Sequence, residues 1–332
     1  MGILLRVGLP STTGALPGEA ERLGVAALVS ASSLWDHKRQ HFRRPGDAIT
    51  DLDVALDSAG FTAMCHYGGF PWPLTAYVET AFAHSWAWWS QPDLCCEPEI
   101  APDRATVLAR VDRSAELLAE SRRIAADLRW RILSETSLLH ERHEWLAGAE
   151  ASHRALYPDP MPVLQGWQPE DYRRSADAVA EVLSGDWPSL VGVGSVCRRQ
   201  VHGDDGLIAI LSALHEHLPA GVQLHAFGVK GAAIPHLLPF HARIASIDSM
   251  AWDAAARWSG DSSMAGRKAA MRRWVARQQE RLADLERAVL LEDIIHHVRA
   301  HRPTGLSADD LNGFLKRHRP TLSKLLEAVW AA

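Results

Sequence analysis

The sequence has little of what marks whole classes of protein. Its 332 residues include only 4 cysteines, too few and too irregularly spaced for a disulfide framework, so the cytoplasm is the expected compartment. No apolar stretch approaches the ~20 residues that span a bilayer, and no membrane association is expected. The first residues, Met1 to Val7, show no charged leader before a long apolar core, so they do not read as a secretory signal. Arg6 stands where an N-myristoylation pattern wants Ser or Thr. Nor is there an excess of positive charge: the formal net charge is −5. That gives no whole-molecule case for binding a polyanion, although a local basic surface can hide in the average. Internal repeats and low-complexity stretches are missing as well. What remains, 47% hydrophobic and 23% charged residues, excludes global disorder and suits one large domain or two small ones.

The organising signal is a recurrence of eight short apolar runs, each ending in polar or glycine residues. They are Ile3 to Val7, Val25 to Val29, Val54 to Asp57, Trp88 to Asp93, Pro162 to Gly166, Leu190 to Gly194, Gln223 to Gly228 and Ile244 to Asp248. Runs of this length suit strands buried on both faces. Helical patterns such as Pro169 to Leu183 and Gly206 to His217 lie between most of them. Strand alternating with helix eight times predicts an α/β fold, a (β/α)8 TIM barrel. The segment Pro98 to Met161 is too long for one crossover and predicts a helical insertion after strand 4, with Leu117, Leu118, Ile124, Leu128, Ile132 and Leu138 at helical spacing. After the eighth run come an amphipathic helix, Arg267 to His301, and a last helix that starts near Ser307 and runs through Val329. The expected division is a barrel over 1–262 and a helical C-terminal extension over 263–332.

In such a barrel the carboxyl ends of the strands carry the chemistry. Here they deliver Asp57, Asp93 and Asp248 from three strands, Gln165 from a fourth, and several glycines. A single Asp after a strand is ordinarily a turn residue. Three on separate strands point instead to carboxylates around one reacting carbon, one attacking or stabilising charge and another moving protons, as in glycosyl transfer.

Five motifs, in order, resemble the tRNA-guanine transglycosylase superfamily, and within it the branch that inserts 7-deazaguanine bases into DNA. They are Asp57-Ser-Ala-Gly-Phe61, Val163-Leu-Gln-Gly-Trp167, Val191-Gly-Val-Gly-Ser-Val-Cys-Arg-Arg199, His225-Ala-Phe-Gly-Val-Lys230 and Ser246-Ile-Asp-Ser-Met-Ala-Trp252. The likeness runs from about Val25 to Trp258. It implies a pentosyltransferase that exchanges guanine for a 7-deazaguanine, the 7-cyano form expected, through a covalent aspartyl-sugar intermediate. Asp248 would be the nucleophile and Asp57 the general acid/base. Asp93 would accept from the purine N–H edge, while Gln165 and the backbone at Gly194 bind its carbonyl. Gly166, Ser195 and Gly228 complete the expected base-binding set. A carboxylate can only accept and that edge of guanine can only donate, so the chemistry agrees with the role.

Departures bear on the substrate. Ala59 replaces a glycine of the family motif, and no cysteine follows Cys197, so the family's zinc site is absent and neither metal nor other cofactor is expected. Cys95 and Cys96 read as pocket wall or core, His66 as a polar loop residue, and His296 and His297 as surface. Where the zinc segment would stand, Gly266 to Arg277 carries Arg267, Lys268, Arg272, Arg273 and Arg277. These, with Arg198 and Arg199 beside the pocket, are the candidate nucleic-acid contacts, although a solvated helix face explains the charge run equally. The expected partners are DNA and a 7-deazaguanine base, with a homodimer a further expectation. A base in a duplex must first be flipped or unpaired. The alternatives are the same chemistry on tRNA, the same chemistry on a small nucleoside or nucleotide, and a catalytically silent nucleic-acid-binding subunit.

Overall fold

The computed structural model describes residues 2–138, 156–197 and 199–301. Seven of the eight predicted runs are strands of one parallel sheet. These are β1 (Leu4–Leu9), β2 (Ala26–Ser30), β5 (Val54–Asp57), β6 (Val163–Leu164), β7 (Leu190–Val193), β8 (Gln223–Ala226) and β9 (Ile244–Ser249), in the order β5-β2-β1-β9-β8-β7-β6. The first strand therefore lies inside the sheet, third of seven, paired in parallel with β2 and β9. A two-residue hairpin, β3 (Trp35–Asp36) with β4 (His41–Phe42), was not anticipated.

The sheet is curled, with residues alternating between two apolar layers as strand geometry requires. Val7, Leu9, Ala27, Val29, Leu56, Leu164, Val191, Val193, Leu224 and Ile247 pack into the large core shared with the helices. Leu28, Ala55, Trp88, Met161 and Val163 form a separate cluster, joined by Leu190 and Phe227. Several of these alternate with the outer set along their strands, so this cluster fills the concave side.

The fourth run, Trp88 to Asp93, departs from expectation: it is not a regular strand. It makes isolated parallel bridges, Leu56 with Trp89 and Ser90 with Met161, that reach both edges of the sheet. Pro92 lacks an N–H to continue a ladder. The Gln91 side chain substitutes for main chain, accepting from Val163 N–H at 3.2 Å and donating to Ser114 C=O at 2.6 Å.

The helix Arg104–Leu138 is a single 35-residue element. It buries Leu117, Leu118 and Ile124, and packs on the helices Leu74–Phe82 and Pro169–Leu183. The latter starts on Pro169, whose missing N–H is no loss at a helix N-terminus. Its buried Asp171 accepts from the main-chain N–H of Trp167 and Gln168 at 3.0 and 2.8 Å. The helix Met264–His301 buries Met271, Trp274, Val275, Leu282 and Leu285 in the same core as the sheet. The last predicted helix, from Ser307 onward, lies outside the described residues. Among the described residues no helix is long and apolar enough to cross a membrane.

Candidate active site

Asp57 and Asp248 end β5 and β9 on the inner face, with Ser30 of β2 in register beside Asp57. Asp57 keeps a partial opening to solvent. Its pKa is raised from the ordinary 3.8 to about 7, first by burial and then by the charges of Asp93 and Asp248. The opposing hydrogen bonds come from Ala59 N–H, at 3.1 Å, and from Ser30. A group titrating near neutrality can take a proton in one step and return it in another. Reaching that geometry forces Ala59 to φ +69°, left-handed backbone that a glycine adopts without strain.

Asp248 is wired differently from Asp57. Its Oδ1 accepts from Gly228 N–H at 2.8 Å and lies 3.3 Å from His225 Nε2. The imidazole is fully buried, packs against Trp88 and Phe227, and bonds Ser246 Oγ through Nδ1 at 2.7 Å. Burial lowers the His225 pKa, against the pull of Asp248. The ring is therefore held neutral, and its Nε2, although 3.3 Å from Asp248 Oδ1, makes no hydrogen bond there. Gly228 sits at φ +66°, and a Cβ there would meet Cys197 Cβ at 2.8 Å, so the residue is fixed by backbone and space alike.

Asp93 is buried and surrounded by donors. Ser58 Oγ donates to Oδ1 at 2.8 Å, Gln165 Nε2 donates to Oδ2, and the Cys95 thiol stands 3.9 Å from the same oxygen. Burial still raises its pKa. The Gln165 Oε1 accepts from Ser195 Oγ at 2.7 Å. A Cβ on Gly194 would fall 2.1 Å from Gln165 Nε2, so only glycine lets the amide lie there. Gly166 has another place: its missing side chain makes room for Asp171 Cβ, 2.5 Å from where a Cβ would stand. Cys95 lines the Asp93 pocket as expected of a wall residue, and Cys96 is core beside Val107 and Val111. Cys65 and His66 are exposed on the helix Gly60–Tyr67.

The basic candidates divide. Arg199 is buried, stacked 3.8 Å over the Trp167 ring. It gives four N–H bonds to the carbonyls of Ser195, Trp167 and Asp205. That corrects its expected role: the buried guanidinium is committed to the loop carbonyls and is not a free surface cation. Arg267 pairs with the fully buried Asp253 at 2.7 Å, and Arg272 with buried Glu19 at 2.6 Å. Both tie the helix Met264–His301 to its neighbours, the helices Ala251–Trp258 and Ala15–Arg22, because a buried carboxylate needs a partner. Arg273 and Arg277 are exposed and Lys268 is half-buried. Arg198 lies outside the described residues. Three relevant groups escaped the sequence reading: Glu97, His225 and Ser58. His225 lay within a quoted motif, and only its 3.3 Å approach to Asp248 singles it out.

The sequence model of DpdA, deoxypurine in DNA protein A, matches residues 23–310. The chain belongs to the DpdA family. Membership brings a transglycosylase-type enzyme with a role in the deazapurine modification of DNA. No curated protein matches the chain. The DpdA match extends past Trp258, the end of the motif likeness, and takes in the basic stretch Arg267 to Arg277. Among the described residues no cluster of three His, Cys, Asp or Glu side chains could hold a metal, and Asp253 in that region is already paired with Arg257 and Arg267. Among the described residues the donors present do not fit the zinc of the wider superfamily.

Proposed function

We propose that this protein exchanges guanine for a 7-deazaguanine base, the 7-cyano form, in DNA by double displacement. Asp248 Oδ attacks C1′ of the target nucleotide as the C1′–N9 bond breaks, giving an aspartyl-sugar ester. The departing guanine takes a proton from Asp57. The incoming base then loses its N9 proton to Asp57, its nitrogen attacks C1′, and the ester C–O bond breaks to free Asp248. One proton leaves Asp57 and one returns, so both carboxyls end as they began. A pKa of about 7 for Asp57 suits it to both transfers.

The observation that carries this reading is that three carboxyls, two from the strands β5 and β9 and one from the irregular segment after Trp88, come within electrostatic reach while keeping distinct partners. Asp93 and Gln165 supply an acceptor and a donor for the Watson–Crick edge of the base. The fold reading belongs with it: we infer that Ala87 to Gln91 acts as the eighth stave of a closed barrel. Main-chain bonds from Leu56 N–H to Trp88 C=O and from Met161 N–H to Trp89 C=O support that closure. Arg273, Arg277 and Lys268 are the surface from which DNA phosphates would be held, in the cytoplasm.

The test is incubation with DNA or tRNA followed by denaturing electrophoresis. A covalent DNA band that disappears in Asp248→Asn, with release of labelled guanine from DNA and not from tRNA, is the expected result. A covalent band on tRNA alone, or guanine release that survives Asp248→Asn, overturns it.

A further inference from the structure

We propose that Glu97 is a positioning residue that holds a proton at neutral pH and, through Ser195, orients the Gln165 amide toward Asp93 and the bound base. The inference rests on the base-exchange reading only in taking Asp93 and Gln165 to face the base.

The argument is an inventory of hydrogen atoms. Ser195 Oγ has three neighbours: Cys96 N–H at 2.7 Å, Gln165 Oε1 at 2.7 Å and Glu97 Oε2 at 3.0 Å. A hydroxyl carries one proton and two lone pairs. Cys96 fills one lone pair, and the single O–H cannot serve both remaining oxygens. Turning the Gln165 amide over does not relieve this, because its oxygen would then face Asp93 Oδ2, which would need a proton of its own. One proton must therefore reside on Glu97 or on Asp93.

The donors decide between them. Asp93 receives Ser58 Oγ, Gln165 Nε2 and the nearby Cys95 thiol, a setting that favours its ionised form. Glu97 has Ser195 and its own main-chain N–H, and burial pushes its pKa up. The groups around it are Asp93, Cys95 and Cys96 on its own segment, Tyr172 on the helix Pro169–Leu183, Arg110 on the helix Arg104–Leu138, and Arg199 beyond β7. Arg199 favours ionisation, yet its N–H groups are held by carbonyls. With the proton on Glu97, every valence closes: Glu97 donates to Ser195, Ser195 to Gln165, and Gln165 to Asp93. When Glu97 ionises, it draws the Ser195 hydroxyl away, and the amide loses the bond that fixes its orientation.

The experiment compares wild type, Glu97→Gln and Glu97→Ala in the full chain. Infrared difference spectra of wild type against Glu97→Gln, without base, are expected to show the C=O stretch of a protonated carboxylic acid at neutral pH. Calorimetry with guanine is expected to show wild-type affinity falling about 10-fold as pH rises. Glu97→Gln keeps a neutral donor to Ser195 and falls less than wild type across the same range, where only the Asp57 titration remains, whereas Glu97→Ala is weak throughout, with KM raised and kcat little changed. Absence of the acid band, coincident pH profiles for wild type and Glu97→Gln, or equal defects in the two variants overturns the proposal. If guanine fails to bind any of the three, the base-exchange reading falls, and the infrared band alone decides the state of Glu97.

Discussion

Asp57 should make the protein less stable as the solution becomes less acidic, and removing its charge should reverse that. The folded carboxyl holds its proton until about pH 7, whereas the unfolded chain releases it near 3.8. Between those values the native state binds more protons than the unfolded state, so stability falls as pH rises through the window and the full cost is present above it. A rise of that size corresponds to about 4 kcal/mol. The residue keeps a partial opening to solvent and shares the effect with Asp93 and Asp248, which brings the expected figure to roughly 2–3 kcal/mol. Asp57→Asn preserves the shape and an acceptor for Ala59 N–H while abolishing the charge. Urea denaturation of wild type and variant should therefore give a stability difference near zero at about pH 4 and a gain of roughly 2–3 kcal/mol for the variant at about pH 8. The same variant should lose base exchange. A difference that stays constant from acid to alkaline conditions would show that Asp57 is not held in a charge-resisting environment, and its assignment as proton carrier would go with it.

Ala59→Gly should stabilise the fold by about 0.5–1 kcal/mol, because φ +69° strains alanine and not glycine; a lower denaturation midpoint would contradict this. Gly194→Ala places a methyl 2.1 Å from Gln165 Nε2, so base affinity should fall by about 10-fold or more with little change in stability; unchanged guanine binding in calorimetry would refute the amide's place. His225→Leu removes the imidazole that stands 3.3 Å from Asp248 Oδ1 and should slow formation of the covalent intermediate by ~10–100-fold with KM little altered, as single-turnover gels can read; an intermediate that forms at the normal rate would deny the ring its role. Arg273→Glu and Arg277→Glu should each weaken DNA binding and reduce the dependence of log affinity on log salt by about 1, whereas Arg272→Ala should chiefly destabilise, since it deprives buried Glu19 of a partner. Identical salt slopes would move the DNA surface elsewhere.

The sheet was legible because strands buried on both faces leave short apolar runs between turn residues, and seven runs became strands. The fourth run misled in detail, since Gln91 and Pro92 replace ladder bonds with side-chain bonds, and hydropathy does not register that substitution. Asp57, Asp93 and Asp248 were visible from their places after the runs and from the motifs around them. Glu97 and Arg199 were not legible, and the reason is one of direction. Glu97 sits beside Pro98 and reads as a loop acid, yet it turns inward to Ser195, 98 positions away. Arg199 reads as a phosphate ligand by type, but the loop carbonyls of Ser195, Trp167 and Asp205 needed a donor and received it. Charge type can be read from a chain, whereas the partner that claims it depends on the fold.

These placements bear on how an acidic pocket can accept a polyanion. Four carboxyls crowd the mouth of the sheet, and the nearby arginines among the described residues do not neutralise them: Arg110 is spent on the Cys95 carbonyl. Arg6 points to the opposite end of β1, where it bonds Asp53 Oδ1 at 2.9 Å, and Arg199 is tied to carbonyls. The remaining means of lowering the negative charge is protons. Asp57 near neutrality and a protonated Glu97 would lower the negative charge around Asp93 and Asp248, each of which is held by directed N–H or O–H donors. In the proposed chemistry these two accept from the base and attack the sugar. Stability and activity are then opposed at a single residue: the pH at which Asp57 begins to ionise and serve as a base is the pH at which it begins to destabilise the fold.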